Sequence, residues 1–102
     1  DWFTDPFEWL INMPNVLRQN QDTTQDGALI IEGSPNVFVN GKGVVRIGDH
    51  IQPHNHGKNT VYSYMITGSS TIFANGKAIC RNGDLATNGD VGIGGATNCI
   101  AG

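Results

Sequence analysis

The sequence predicts a mainly β chain, a small conical β-prism of repeated β-hairpins with pseudo-threefold symmetry, plus a short N-terminal helix. Three observations predict it. Of the 102 residues, 14 are Gly and only 38% are apolar, a composition that suits short strands and tight turns better than a helical bundle. A segment of seventeen residues recurs at an offset of 35: "GSPNVFVNGKGVVRIGD" at residues 33–49 and "GSSTIFANGKAICRNGD" at residues 68–84 share nine identities. A further lead-in, "DVGIGGATNCIAG", closes the chain, and matching Gly95 to Gly68 sets Cys99 opposite Ile72 and Val37. Such repetition marks one supersecondary unit used several times.

Each unit reads as a hairpin. Residues 36–39 and 71–74 form the first strands, and residues 44–47 and 79–82 the return strands. The intervening Asn-Gly-Lys is a strong turn signal, because Asn and Gly tolerate positive φ. Lead strands are expected at residues 28–32, 61–66 and 91–93. The last unit reads as half-built, an opening strand that lacks a return strand. The repeated Asp49 and Asp84 read as loop closures, and the repeated Arg46 and Arg81 as partners of a nearby carboxylate or carbonyl.

Residues 1–22 differ in character and read as an N-terminal helical extension, leaving residues 23–102 as the repeat domain. Phe7, Leu10 and Ile11 follow the spacing of one helical face, with Asp5 as cap, Pro6 at the first turn and Pro14 ending the helix. Residues 19–25 are polar and read as a loop. Trp2, Phe3, Phe7 and Trp9 either cover the domain's own apolar surface or dock on a partner. The formal net charge is -3 and the six basic residues are scattered, which argues against nucleic-acid binding. No apolar run approaches the roughly 18–20 residues that span a bilayer.

The repeat resembles that of PAAR-domain proteins through its Gly-Ser, Asn-Gly-Lys and Arg-x-Gly-Asp signatures in both copies, over about residues 23–102. Of the Pro-Ala-Ala-Arg tetrapeptide itself, only Arg46 and Arg81 are literal. The resemblance implies a non-enzymatic, pointed β-structure that caps a trimeric β-helical spike, one cap per trimer, and helps pierce the target cell envelope. It implies a place in the virion, at a phage tail baseplate, or secretion through a type VI apparatus. It also implies one structural zinc near the tip, held by histidines and a cysteine. Gln25 stands near the place where the family often has a first-loop His, and the loop after Asp84 has no Cys.

The three histidines of the chain, His50, His54 and His56, fall within seven residues, "HIQPHNH". Zn²⁺ takes neutral imidazole and thiolate ligands, four in a closed site. His54 and His56 share one side of an extended segment, and Pro53 can turn the chain back toward His50. The expected metal ligands are His50, His54, His56 and Cys99, since the incomplete last unit needs a fastener. Cys80 is the alternative thiolate, and a disulfide between Cys80 and Cys99 would remove both. Iron held by His-x-His from three chains is a less favoured variant. If no cysteine binds, an open three-histidine site with Asp49 behind it would suit a small zinc-dependent hydrolase or a metal-binding module. No nucleophile elbow, phosphate loop or paired-carboxylate motif accompanies it.

Overall fold

The computed structural model describes residues 14–56 and 59–102, with His54 and His56 placed by their backbone alone. The described part is mainly β. Its strands are β1 (Thr23–Thr24), β2 (Phe38–Val39), β3 (Lys42–Gly43), β4 (His50–His56), β5 (Asn59–Tyr64), β6 (Phe73–Ala74), β7 (Lys77–Ala78) and β8 (Gly92–Ile93). They pair antiparallel as β2/β3, β4/β5, β6/β7 and β1/β8. The two Asn-Gly-Lys turns form as expected. Asn40 and Asn75 have φ of 52° and 55°, and the glycines after them 78° and 77°, the left-handed pair that a tight hairpin requires. The N-terminal helix expected over residues 6–13 lies outside the described residues.

The third face is built from both ends of the chain. In the first two units, Val44 N–H donates to Val37 O at 3.0 Å and Ile79 N–H to Ile72 O at 3.1 Å. The matching bond of the third unit runs from Val16 N–H to Cys99 O at 2.9 Å. The next bonds also correspond: Ser34 to Val44 O, Ser69 to Ile79 O and Ala96 to Val16 O. Residues 14–18 are therefore the return strand that the C-terminal opening strand lacks in sequence. This corrects the expectation of an incomplete last unit, and it places residues 14–22, expected in the extension, inside the repeat body. Val16 is 1% exposed and Leu17 is fully buried.

The three faces close on one another through a cycle of backbone bonds. Leu17 N–H donates to Cys80 O, Cys80 N–H to Val45 O, and Val45 N–H back to Leu17 O, at 3.0, 2.8 and 3.1 Å. A second set of three bonds runs around the faces in the opposite sense, with Gln19 N–H to Gly43 O, Ile47 N–H to Ala78 O and Asn82 N–H to Asn15 O. Among the described residues no strand edge is left open along this ring, so strands of two residues are held without a wide sheet. The side chains of Leu17, Val45 and Cys80 meet in one apolar cluster with Ala28, Ile30, Ile51, Met65 and Ala86. A second cluster, nearer the hairpin turns, gathers Val16, Val39, Val44, Ala74, Ile79, Ala96 and Ala101.

After each return strand an Arg/Asp bracket turns the chain. Arg46 donates to Asp49 through its backbone N–H at 2.7 Å, Nε at 3.1 Å and Nη2 at 2.9 Å. Arg81 and Asp84 repeat this at 2.6, 3.0 and 3.2 Å. Arg18 and Asp22 supply a third copy at 2.7, 3.0 and 3.1 Å. Asn20, with φ of 57°, takes the left-handed position of Gly48 and Gly83, so this copy holds one more residue and escapes the Arg-x-Gly-Asp pattern.

Burial opposes ionisation of Asp22, but its hydrogen bonds from Arg18 and from backbone N–H groups outweigh burial and hold its carboxyl below the usual value. A folded-state pKa below the unfolded one contributes stability above the unfolded value, about 3.9 for Asp, which is lost as pH falls through the folded value. The Asp22→Asn variant should therefore be less stable than wild type at neutral pH. Its unfolding free energy should fall less steeply below about pH 4, as read from urea titrations at stepped pH.

Candidate metal centre at the histidine hairpin

At the end of the molecule away from the Asn-Gly-Lys turns, three connections lead from the brackets back into the lead strands. The first and third are tight turns. Thr24 N–H bonds to Ala28 O at 2.8 Å around residues 25–27, and Ala86 N–H to Asp90 O at 2.8 Å around residues 87–89. The second connection is the β4/β5 hairpin, residues 52–62, which replaces three residues with eleven. The histidine run is thus an insertion into one of three equivalent positions. By these bonds Ser63 corresponds to Ala28 and Asp90, and His50 to Thr23 and Leu85.

The hairpin register contains a bulge. His50 pairs with Tyr64 and Ile51 with Ser63, but His54 pairs with Val61 and His56 with Asn59. One extra residue of β4 lies between these blocks, so the alternation of faces reverses there. By backbone register His54 and His56 are in phase with Ile51, Val61 and Ser63, while His50 is in phase with Tyr64 on the other face.

His50 is engaged where it stands. Glu32 Oε1 accepts its backbone N–H at 2.9 Å and meets its Nδ1 directly. The Tyr64 ring lies edge-on at 6.0 Å. Partial burial works against ionisation of Glu32, but the contacts to His50, with a smaller contribution from Lys77, hold its carboxyl below the usual range. In the second unit Thr67 Oγ1 accepts from Leu85 N–H at 2.8 Å, so Glu32 takes over a capping place that the fold fills with a hydroxyl elsewhere.

The cysteines are both free, so the disulfide alternative does not hold. Cys80 is fully buried in the axial cluster, with its thiol against Thr67 O at 3.3 Å. Burial, reinforced by the charges of Asp84 and Asp49, pushes that thiol far above its ordinary pKa, the reverse of what a zinc-binding thiolate requires. Cys99 packs against the cluster near the hairpin turns, whereas Ile51, the neighbour of His50, belongs to the other cluster. Cys99 and His50 therefore lie in different tiers, and the completed third face leaves Cys99 no fastening role. Asp49, offered by sequence as a partner behind a three-histidine site, has both carboxylate oxygens committed to Arg46. Among the described residues no three His, Cys, Asp or Glu side chains gather around one point.

At the other end, exposed apolar residues repeat with the fold. Phe38 and Phe73 are 60% and 59% exposed, and Ile100, their counterpart on the third face, is 36% exposed. Beside them Val37 and Ile72 are also exposed. A small domain seldom spends its largest side chains on solvent in equivalent places without a partner to cover them.

The PAAR motif family model matches residues 20–93. The chain belongs to the PAAR-motif family. Comparison with curated proteins gave no significant match. The family is structural rather than catalytic, and it associates this PAAR protein in general terms with phages or type VI secretion. The match ends before residue 95 and begins after residue 19. The two segments that build the third face therefore lie largely outside it, and the structure supplies what the motif omits.

Proposed function

We propose that this PAAR protein is the tip of a contractile-tail or type VI spike, seated on the end of a trimeric β-helical protein and used to breach a cell envelope. The observation that carries the reading is the apolar set Phe38, Phe73 and Ile100, one on each of three backbone-equivalent faces. A partner with three identical chains presents three equivalent contact sites, and a single chain meets them only if its own faces repeat. The turns, Pro14 and the C-terminal residues lie on this side, as Ala101 N–H bonded to Pro14 O indicates. The histidine hairpin then points forward, away from the spike.

The proposal includes one structural divalent transition metal, best suited to zinc, at the forward end. Of the ligands expected from sequence, His54 and His56 fit by register; His50 is held by Glu32 on the opposite face, and Cys99 belongs to the rear tier. Two imidazoles supply half of the four ligands that a structural zinc takes. The metal would stiffen the outer part of β4, the strand on which both histidines stand.

The test is binding to the isolated trimeric spike protein by calorimetry, with metal content measured on the same sample. Wild type should bind at one copy per trimer, and the Phe38→Asp, Phe73→Asp double variant should lose affinity roughly 100-fold or more while melting as wild type does. Equal binding by the double variant would remove the basis of the seating proposal.

A further inference from the structure

The outer surface carries a second set of exposed apolar residues that repeats with the fold. Ile31, Ile66 and Ile93 are 37%, 44% and 42% exposed. They hold one backbone place on three faces. Ile66 follows Ile31 at the repeat offset of 35, and Ile93 precedes Gly95 as Ile66 precedes Gly68. Their bonded neighbours correspond as well: Ile31 N–H donates to His50 O at 3.0 Å, Ile66 N–H to Leu85 O at 2.9 Å, and Ile93 pairs with Thr23.

Buried places are less strict than this exposed one. The equivalent residues of the axial cycle are Leu17, Val45 and Cys80, all fully buried. Immediately before the isoleucines, the buried Ile30, Met65 and Gly92 also differ. The fold thus accepts varied side chains where packing constrains them and holds isoleucine three times where packing constrains least. Strand preference would be met as well by Thr, which is β-branched and suits water. A single exposed apolar residue needs no explanation, but the same one on every face points to a partner that covers it.

The arrangement narrows that partner. Residues on three faces around one axis cannot be covered together by a bilayer, or by a second copy of the chain docked on one side. Three identical chains around the same axis can cover them. Each isoleucine also leads into the opening strand that bears Phe38, Phe73 or Ile100, so the set continues the seat. We propose that each chain of the trimeric spike extends past the seat and lays an apolar segment over Ile31, Ile66 or Ile93, holding the cap in a three-armed socket. This inference rests on the seating reading and adds to it the depth of the contact and the chemistry of the partner's rim.

The experiment measures calorimetric binding to the isolated spike trimer for wild type, the Ile31→Thr, Ile66→Thr, Ile93→Thr triple variant and Tyr62→Thr. Oxidative labelling of wild-type side chains, with and without the trimer, accompanies it and needs no variant. The triple variant should bind at least about tenfold more weakly, because three apolar contacts are lost, while Thr keeps the β-branched shape that strands favour. Tyr62 is 75% exposed on the inserted histidine hairpin and has no counterpart on the other faces, so Tyr62→Thr should bind as wild type does. Labelling of all three isoleucines should fall together when the trimer is added. A triple variant that binds as wild type, with the isoleucines still labelled in the complex, would overturn the socket while seating through Phe38 and Phe73 stands. Labelling that falls with phosphatidylglycerol vesicles or with the protein's own concentration, and not with the trimer, would overturn it in favour of a lipid surface or self-association. Wild type that does not bind the trimer would overturn the seating reading first, and the socket with it.

Discussion

A chain shortened to begin at Thr23 will fail to give a cooperative unfolding transition, although it retains both recognisable sequence repeats. The deletion removes Val16 and Leu17, each at most 1% exposed. It also breaks the backbone cycle at the Leu17 link to Cys80 and Val45. Two open edges result, one along the Val45 strand and one along the Cys80 strand, in a domain whose other strands are mostly two residues long. Losing a fully buried Leu alone costs about 2–5 kcal/mol, and a domain of this size has only about 5–15 kcal/mol to lose. Urea titration followed by tryptophan-free signals such as far-UV circular dichroism checks this. A shortened chain with the wild-type midpoint would mean that the third face is dispensable.

Replacing Asp49 with Ala should destabilise the protein by about 3–5 kcal/mol, the usual result of stripping the partner from a buried charge. Arg46 is 9% exposed and donates three bonds to Asp49. It also reaches Asn75 Oδ1 at 3.1 Å on the neighbouring face and Gly33 O at 3.3 Å. Without Asp49 the guanidinium remains buried between two faces with only neutral acceptors. Asp49→Asn should recover part of the loss, since an amide oxygen can still accept the backbone N–H of Arg46. Denaturant titration of the two variants reads the difference, and a loss under about 1 kcal/mol for the Ala variant would place the bracket among ordinary surface ion pairs.

Much of this molecule was legible in the residues. The Asn-Gly turns announced themselves because few residues tolerate two consecutive left-handed conformations. The repeated Arg and Asp were assigned a structural rather than catalytic part, and the brackets bear this out. The third bracket was missed because Arg18 and Asp22 are one residue further apart and Asn20 replaces the glycine. The return strand at residues 14–18 was missed because its partner lies at the opposite end of the chain. No local pattern couples Val16 to Cys99. The same blind spot lay behind the choice of Cys99, which looked like the loose end of an unfinished unit.

The histidine run shows a different limit. Three histidines within seven residues, with Pro53 to turn the chain, put His50 with His54 and His56. A single bulged residue between Ile51 and His54 sets His50 on the other face instead, and bulges leave no dependable mark in sequence.

The sequence by itself determined the repeating unit, its turns, two of its three brackets and its family, because each of these depends on contacts between residues close together in the chain. The closure of three faces into a ring, the exchange of strands between the two termini and the phase of the histidines were decided only by tertiary structure. They depend on which backbone groups meet after the chain has gone once around the axis, and distant partners of that kind are selected by hydrogen-bond closure and shared burial rather than by local preference.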